Sequence, residues 1–263
     1  MNLVTIEHLT KSYTERLLFD DTSFSMGEGD KIGLIGINGT GKSTLLKIVA
    51  GLEEPDEGTV VRSRNLDIRY LPQNPKFHDG DTIIESIVRD NEGHDHPWDL
   101  ESQAKTMLTK VGIFDFDAKV ETLSGGQRKR VALVSTLMSN TDLLVLDEPT
   151  AGLDPQGASD MMQLFVDMNK KYGKTVLIVT HDMEHVLQYC EEVVVVQDGS
   201  IKKHCDVQSF FETVELLQEL NINPPAVIRL REELIRRGFS IDRTLLDMDK
   251  LAAAVACEVK KHE

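Results

Sequence analysis

Short apolar runs alternate along the chain with amphipathic stretches, and this alternation predicts the class of fold. Four of the runs are almost wholly apolar and are followed by turn-forming residues: Ile32–Ile35, Leu143–Leu146, Val176–Val179 and Val193–Val196. Unbroken apolar runs are typical of strands that are buried on both faces of a parallel sheet. Residues 161–168 instead repeat apolar side chains at the spacing of an amphipathic helix. Strands that alternate with helices predict an α/β fold.

Three other parts of the chain depart from this alternation. Residues 3–26 lack a helical repeat and predict antiparallel strands against the α/β core, whereas residues 77–135 predict a mainly helical subdomain. After Asp206 the strand pattern stops, and three apolar stripes follow at helical spacing, one of them formed by Val227, Leu230 and Leu234. We therefore expect a main domain over residues 1–206 and a helical C-terminal extension over residues 207–263.

Composition and charge restrict the partners that the chain can have. The 263 residues include 44 acidic and 29 basic side chains, and the net charge is −15. This acidity disfavours the binding of a long polyanion, so we expect no DNA partner. Three widely spaced cysteines are too few for a disulfide framework or a four-ligand zinc site, which fits a reducing compartment. The longest apolar stretch, Leu251–Cys257, is far shorter than the roughly 20 residues of a membrane-spanning helix.

A glycine-rich loop after the first buried strand gives the first indication of chemistry. Residues 36–44, here called the phosphate loop, match the pattern GxxxxGK[ST] between a strand and a helical stretch. Glycines let successive backbone N–H groups point at one anion, and the N-terminus of the following helix adds its dipole. We expect Lys42 to reach the β- and γ-phosphates of a nucleotide and the Ser43 hydroxyl to bind Mg²⁺. The same loop supplies the other predicted nucleotide contacts: Asn38, Gly39, Gly41 and Thr44.

Two carboxylates, Asp147 and Glu148, follow the buried strand at residues 143–146. A nucleotide site needs a carboxylate at the carboxyl edge of the sheet to hold the metal ion. A second carboxylate beside it can orient and deprotonate the attacking water. The pair therefore predicts Asp147 as a metal ligand and Glu148 as the general base.

The segment Leu123–Gln127, which reads Leu-Ser-Gly-Gly-Gln, lies between these two motifs and resembles the signature of the ATP-binding cassette (ABC) ATPases. The resemblance covers residues 1 to about 205. It implies a P-loop NTPase fold of the ABC type, with an antiparallel β subdomain and a helical subdomain, and Mg²⁺-dependent hydrolysis of ATP.

The resemblance also implies roles for residues outside these motifs. Gln73 matches the glutamine that senses the metal ion and the γ-phosphate, and His181 matches the histidine that contacts the γ-phosphate. Asp154 ends the segment Ala151–Asp154, which matches the loop that crosses the dimer interface. Tyr13 stands where the family places an aromatic ring against adenine.

The signature implies a second chain at each ATP. Its residues Ser124, Gly125, Gly126 and Gln127 precede a helical run and offer a second helix N-terminus to a phosphate. In the family, each ATP lies between the phosphate loop of one chain and the signature of the other. We therefore expect a head-to-tail dimer, either of two copies or with a related ATPase. The basic run Arg128–Arg130 that follows is expected to be a solvated helix start.

Two branches of the family are represented along the chain. Residues 1 to about 150 resemble an ABC-F cassette, a soluble ATPase that acts on ribosomes. Residues 151–263, including Asn223-Pro224-Pro225, resemble the ATPase subunits of energy-coupling factor transporters. The second resemblance implies a cytoplasmic protein at the membrane face with an integral membrane partner. The first implies a ribosome-associated ATPase, and a natural or engineered chimera of the two with no physiological partner is the third interpretation. The charge of −7 over residues 51–100 favours the transporter over the ribosome.

Overall fold

The computed structural model describes residues 1–13, 16–91, 97–139, 141–212 and 214–262 and contains two β-sheets. The strands are, in chain order, β1 (Asn2–Tyr13), β2 (Arg16–Gly27), β3 (Lys31–Ile35), β4 (Glu57–Arg62), β5 (Ile68–Leu71), β6 (Leu143–Asp147), β7 (Thr175–Val179), β8 (Glu192–Gln197) and β9 (Ser200–Asp206). The helices are α1 (Lys42–Val49), α2 (Ile83–Asp90), α3 (Pro97–Lys110), α4 (Gly125–Met138), α5 (Pro155–Tyr172), α6 (Met183–Tyr189), α7 (Val207–Glu212), α8 (Val214–Glu219), α9 (Ala226–Arg236) and α10 (Met248–His262).

The larger sheet has the strand order β5-β6-β7-β3-β8-β9. Its first five strands are parallel neighbours, and β9 pairs antiparallel with β8 at the edge. Every residue of β6 and β7 is buried, as the unbroken apolar runs at these strands predict. Helices cover this sheet, and the α/β class expected from the sequence is therefore correct.

The smaller sheet is antiparallel, with the order β2-β1-β4. Alternate residues of β1, including Val4 and Ile6, are buried in the same apolar core as Ile32 of β3 and Leu45 of α1. The N-terminal strands thus lie against the α/β core. Because β2 also contributes Phe19 to this core, the small sheet helps to shape the segment between β3 and α1.

Three helices, α2, α3 and α4, pack together around a separate apolar cluster, which includes Ile83, Ile87, Leu108 and Val134. Thr82 and Glu85 form a reciprocal capping box that satisfies backbone N–H groups at the start of α2. Within the described residues, none of the helices combines the length and the apolar character that crossing a bilayer requires.

Among the described residues, helices α7 to α10 follow β9 and pack in the same apolar cluster as β8 and α6. The Glu184 carboxylate of α6 accepts a 2.6 Å hydrogen bond from the backbone N–H of Ala226, at the first residue of α9. The apolar stripe of α9 differs from the sequence prediction. Val227 and Ile228 are buried, but Leu230 is 43% exposed, and Arg231 is fully buried instead.

The guanidinium of Arg231 joins three parts of the C-terminal extension. It donates 2.9 Å to the carbonyl of Phe211 at the end of α7, and it also donates to the carbonyl of Arg243 and to the Glu232 carboxylate. A buried arginine is tolerated here because its donors have fixed backbone acceptors as well as an anionic partner.

We predict that Arg231→Met lowers the free energy of unfolding by about 2–4 kcal/mol, because each buried carbonyl left without a donor costs about 1–3 kcal/mol. Urea unfolding followed by circular dichroism measures the change. Arg229→Met, two positions away on the exposed face of α9, is the matched control. Equal effects of the two substitutions would contradict this account of Arg231.

Candidate active site

Four neighbouring parallel strands carry the candidate site at their carboxyl ends. Gln73 follows β5, Glu148 follows β6, His181 follows β7, and the phosphate loop follows β3. The carboxyl ends of parallel strands meet at one edge of the sheet, where α/β proteins bind their ligands. Residues that are far apart in the sequence are therefore brought together by the strand order β5-β6-β7-β3.

The phosphate loop has close approaches that only glycine permits. Gly41 has φ of 92°, and a Cβ there would lie 2.8 Å from the ring of Phe19. A Cβ at Gly36 would lie 2.2 Å from the carbonyl oxygen of Val196 in β8. Both glycines let the loop pack directly against its surroundings while its tip, at Asn38 and Gly39, stays exposed.

Lys42 is the buried cation of this loop, with 6% of its surface exposed. Its ammonium donates to the carbonyl oxygens of Gly36 and Ile37 at 2.8 and 3.0 Å, so it curls back over the loop. Burial lowers the pKa of Lys42, and the negative charges of Glu148 and Asp147 oppose that lowering. The ammonium therefore lies within electrostatic reach of both carboxylates. Ser43 is exposed and Thr44 is buried in the first turn of α1.

Glu148 is held at three points. Its carboxylate accepts a 3.0 Å hydrogen bond from the Gln73 amide and lies 2.6 Å from Nε2 of His181. Its own backbone N–H donates 3.1 Å to the carbonyl of Val179 in β7. The φ of Glu148 is 46°, a left-handed conformation that costs a non-glycine residue on the order of 1–3 kcal/mol. This conformation turns the side chain between Gln73 and His181 at the sheet edge.

Asp147, the last residue of β6, is nearly fully buried. The Tyr70 hydroxyl of β5 donates to its carboxylate at 3.2 Å. Burial raises the pKa of Tyr70 far above its ordinary value, and the charge of Asp147 adds to this effect. Mg²⁺ is bound in nucleotide sites by one or two side chains together with phosphates and waters. The Asp147 carboxylate and the exposed Ser43 hydroxyl fit that donor set.

Tyr13 is placed beside α1 by contacts of its hydroxyl group. The phenol donates to the Glu53 carboxylate, and this bond raises the pKa of Tyr13. Its oxygen also interacts with the Thr44 hydroxyl in the first turn of α1. Tyr13 as a whole is 46% exposed, and the Lys11 ammonium lies 5.6 Å from the centre of its ring. The aromatic ring therefore lies next to the phosphate loop with surface open to solvent.

The signature lies at the start of α4, where it forms a capping box. The Ser124 hydroxyl accepts from the N–H of Gln127, and the Gln127 side chain accepts from the N–H of Ser124. A Cβ at Gly126 would lie 3.4 Å from Leu153, so the signature borders the segment that ends at Asp154. Gly125 is the first residue of α4, and Asp154 is the N-cap of α5.

The three basic residues at the start of α4 do more than the sequence predicted for them. The expectation of a solvated helix start at residues 128–130 is wrong, because Arg128, Lys129 and Arg130 are all partly buried. Lys129 donates to the carbonyls of Ala151 and Glu148, and Arg130 donates 3.2 Å to the carbonyl of Val111. A basic run after a helix start gives no sequence signal for such contacts, because the acceptors are backbone atoms of distant segments.

Comparison with known proteins identifies the family. The profile of the family described as "ABC transporter" matches residues 19–151, about half of the chain. The chain is 32% identical over 261 residues to the energy-coupling factor transporter ATP-binding protein EcfA1 of Listeria monocytogenes, a match that covers 93% of each protein. The chain belongs to the ABC transporter family. It is an ABC-type ATPase, and its fold is that of the ABC cassette.

Two further relatives extend the comparison of this ABC ATPase. It is 35% identical over 237 residues to the uncharacterized ABC transporter ATP-binding protein YfmR of Bacillus subtilis. That match covers 76% of this chain, which spans only 37% of the length of YfmR. The solved dimeric ATP-binding cassette MJ0796, bound to ADP and Pi, superimposes with a TM-score of 0.70 at 26% identity, over 78% of this chain and 99% of that one.

We predict that Gln73→Glu lowers ATP hydrolysis at pH 7 by about tenfold or more, since it sets a carboxylate beside Glu148. Two adjacent carboxylates raise the pKa of one of them, so the acid limb of the rate profile moves to higher pH. Phosphate release measured from pH 6 to pH 9 gives the profile. Gln218→Glu, an exposed site on α8, is the matched control. An unchanged profile would show that the Gln73 contact is irrelevant to hydrolysis.

Proposed function

We propose that this ABC ATPase hydrolyses ATP as a head-to-tail dimer and serves as the ATPase subunit of an energy-coupling factor-type transporter. The observation that carries the first part is the Glu148 carboxylate, held between Gln73 and His181 at the sheet edge where the phosphate loop ends. A carboxylate in this position can accept a proton from water beside a bound phosphate.

The nucleotide is bound by the phosphate loop and by the residues around it. Lys42 and the N–H groups at the start of α1 bind the β- and γ-phosphates, with Asn38, Gly39, Gly41 and Thr44 completing the cradle. Ser43, Gln73 and Asp147 would hold Mg²⁺, which would supply positive charge to the phosphate oxygens. Tyr13 presents its exposed ring to the adenine.

Hydrolysis uses Glu148 and His181, whose side chains contact each other at the sheet edge. Glu148 orients a water molecule and accepts its proton as the water oxygen bonds to the γ-phosphorus. The bond between that phosphorus and the oxygen of the ADP leaving group breaks in the same displacement. His181, 2.6 Å from the Glu148 carboxylate, positions the water and the γ-phosphate. Catalysis by such a site is mainly positioning and electrostatic stabilisation.

The signature supports a dimer in which each ATP contacts two chains. Ser124, Gly125, Gly126 and Gln127 lie at the start of α4, and Gly126 borders the segment ending at Asp154 of the same chain. A helix N-terminus placed there can serve a phosphate on a partner chain while Asp154 crosses the interface. The C-terminal extension, residues 207–263, strengthens the association, since it exposes apolar side chains, among them Leu230, Met248 and Val259. The second chain is another copy or a related ATPase.

The transporter assignment rests on the relatives that match nearly the whole chain. EcfA1 is named as a transporter ATP-binding protein, and its match spans 93% of this chain, on both sides of residue 150. The partner is then an integral membrane subunit, and the ATPase lies at the cytoplasmic face of the membrane. A chimera stays a hypothesis, and the acidity of residues 51–100 disfavours the ribosome-associated alternative.

We predict that Glu148→Gln binds ATP but hydrolyses it at least a hundredfold more slowly, because the amide cannot accept the proton from water. With Mg-ATP, the variant should elute as a dimer in size-exclusion chromatography, since ATP stays bound between the chains. Phosphate release and elution volume are the two measurements.

Lys42→Ala is the comparison variant for this experiment, because it removes the phosphate-binding cation rather than the base. It should lose nucleotide affinity and should not dimerise with Mg-ATP. Hydrolysis by Glu148→Gln at the parent rate would exclude Glu148 as the base. A monomer with full ATP occupancy would exclude the head-to-tail arrangement.

We also predict that the chain copurifies with an integral membrane subunit when it is purified from the organism that encodes it. Detergent extraction, affinity purification of the ATPase and mass spectrometry of the eluate test this. Glu148→Gln in the same experiment should retain the complex, since the substitution changes the chemistry and not the outer surface. Cosedimentation with ribosomes in ATP, without any membrane subunit, would instead favour the ribosome-associated alternative.

A further inference from the structure

Lys129 is the one basic residue of α4 whose ammonium reaches the backbone that carries Glu148, among the residues that the structure describes. Its Nζ donates 2.5 Å to the carbonyl of Ala151 and 3.4 Å to the carbonyl of Glu148. The same turn is closed by a 3.1 Å hydrogen bond from the N–H of Ala151 to the Glu148 carbonyl. The side chain therefore fixes the turn 148–151 to α4.

This turn needs such support because the backbone of Glu148 has a left-handed conformation. A non-glycine residue keeps that conformation only where several surrounding contacts hold it in place. The N–H of Glu148 is fixed by Val179, and its carbonyl is fixed by Ala151 and Lys129. If the contact to Lys129 is removed, the carbonyl side of the residue keeps only a bond within its own turn.

The charges around Lys129 favour its position as well. Burial lowers the pKa of Lys129, and the negative charges of Glu148 and Asp147 oppose that lowering. The ammonium thus lies within electrostatic reach of both carboxylates while it donates to the backbone of the turn. A neutral side chain of similar length would fill the space but would supply neither the donor nor the charge.

We propose that Lys129 is a positioning residue for hydrolysis. It holds the Glu148 backbone, and with it the carboxylate, in a fixed position relative to α4, the helix that begins within the signature. Shifts of the signature helix therefore move the general base directly. The inference rests on the proposed role of Glu148 and goes beyond it, because it ties the base of one ATP site to the helix that serves the other.

The test is Lys129→Met, which keeps the length of the side chain and removes the donor. We expect kcat for ATP hydrolysis to fall by about tenfold or more, since a displacement of a catalytic group by about 1 Å can lower the reaction rate by about 10²-fold. The KM for ATP should change less than about twofold, because Lys42 and the phosphate loop are untouched. Lys129→Arg should recover most of kcat, since it restores a charged donor. A merely structural residue would instead lower the melting temperature, which we expect to be unchanged.

Lys202→Met, at an exposed position of β9, controls for the loss of one positive charge. Lys129→Gln gives the same comparison with a shorter polar side chain if the methionine variant does not fold. Parent kcat in a folded Lys129→Met or Lys129→Gln would overturn the proposal, as would equal loss in Lys129→Arg. Glu148→Gln, assayed beside them, separates the role of Glu148 as the base from the role of Lys129. If Glu148→Gln is inactive while the Lys129 variants are fully active, the proposed function stands and the inference about Lys129 is wrong.

Discussion

Hydrogen bonding between four parallel strands brings the candidate site together, since its parts come from four segments that are far apart in the sequence. β5, β6, β7 and β3 are consecutive neighbours, so the residues that follow them meet at one edge. The two inner strands, β6 and β7, are buried along their whole length. A slip of one residue in their pairing would exchange the side chains on the two faces of the sheet, and it would also move Glu148 away from His181.

The burial of this sheet allows strained and close-packed backbone at its edge. Glu148 is left-handed, and Gly36 approaches the carbonyl of Val196 too closely for any side chain. Such features need rigid surroundings, which the apolar contacts of β3, β6 and β8 provide. The geometry of the polar site therefore depends on the packing of apolar side chains in the core.

The sequence predicted the parts of the fold in which local pattern and burial agree. The apolar runs located β3, β6, β7 and β8, but β5 was missed because Ile68–Leu71 mixes half-buried and charged side chains. The phosphate loop and the pair Asp147-Glu148 were predicted from residue chemistry, whereas the roles of Gln73 and His181 came from the family resemblance. Arg231 and Lys129 could not be predicted, because their partners are carbonyls whose positions depend on the tertiary fold.

The hydrogen bond between Glu184 and Ala226 connects the C-terminal extension to the helix that follows the candidate histidine. His181 lies just before α6, and the second residue of α6 caps the first residue of α9 at 2.6 Å. α6 and α9 also share an apolar cluster, so a movement of α9 is transmitted to α6. The extension is thus connected to the segment that carries His181, although it lies outside the sheet.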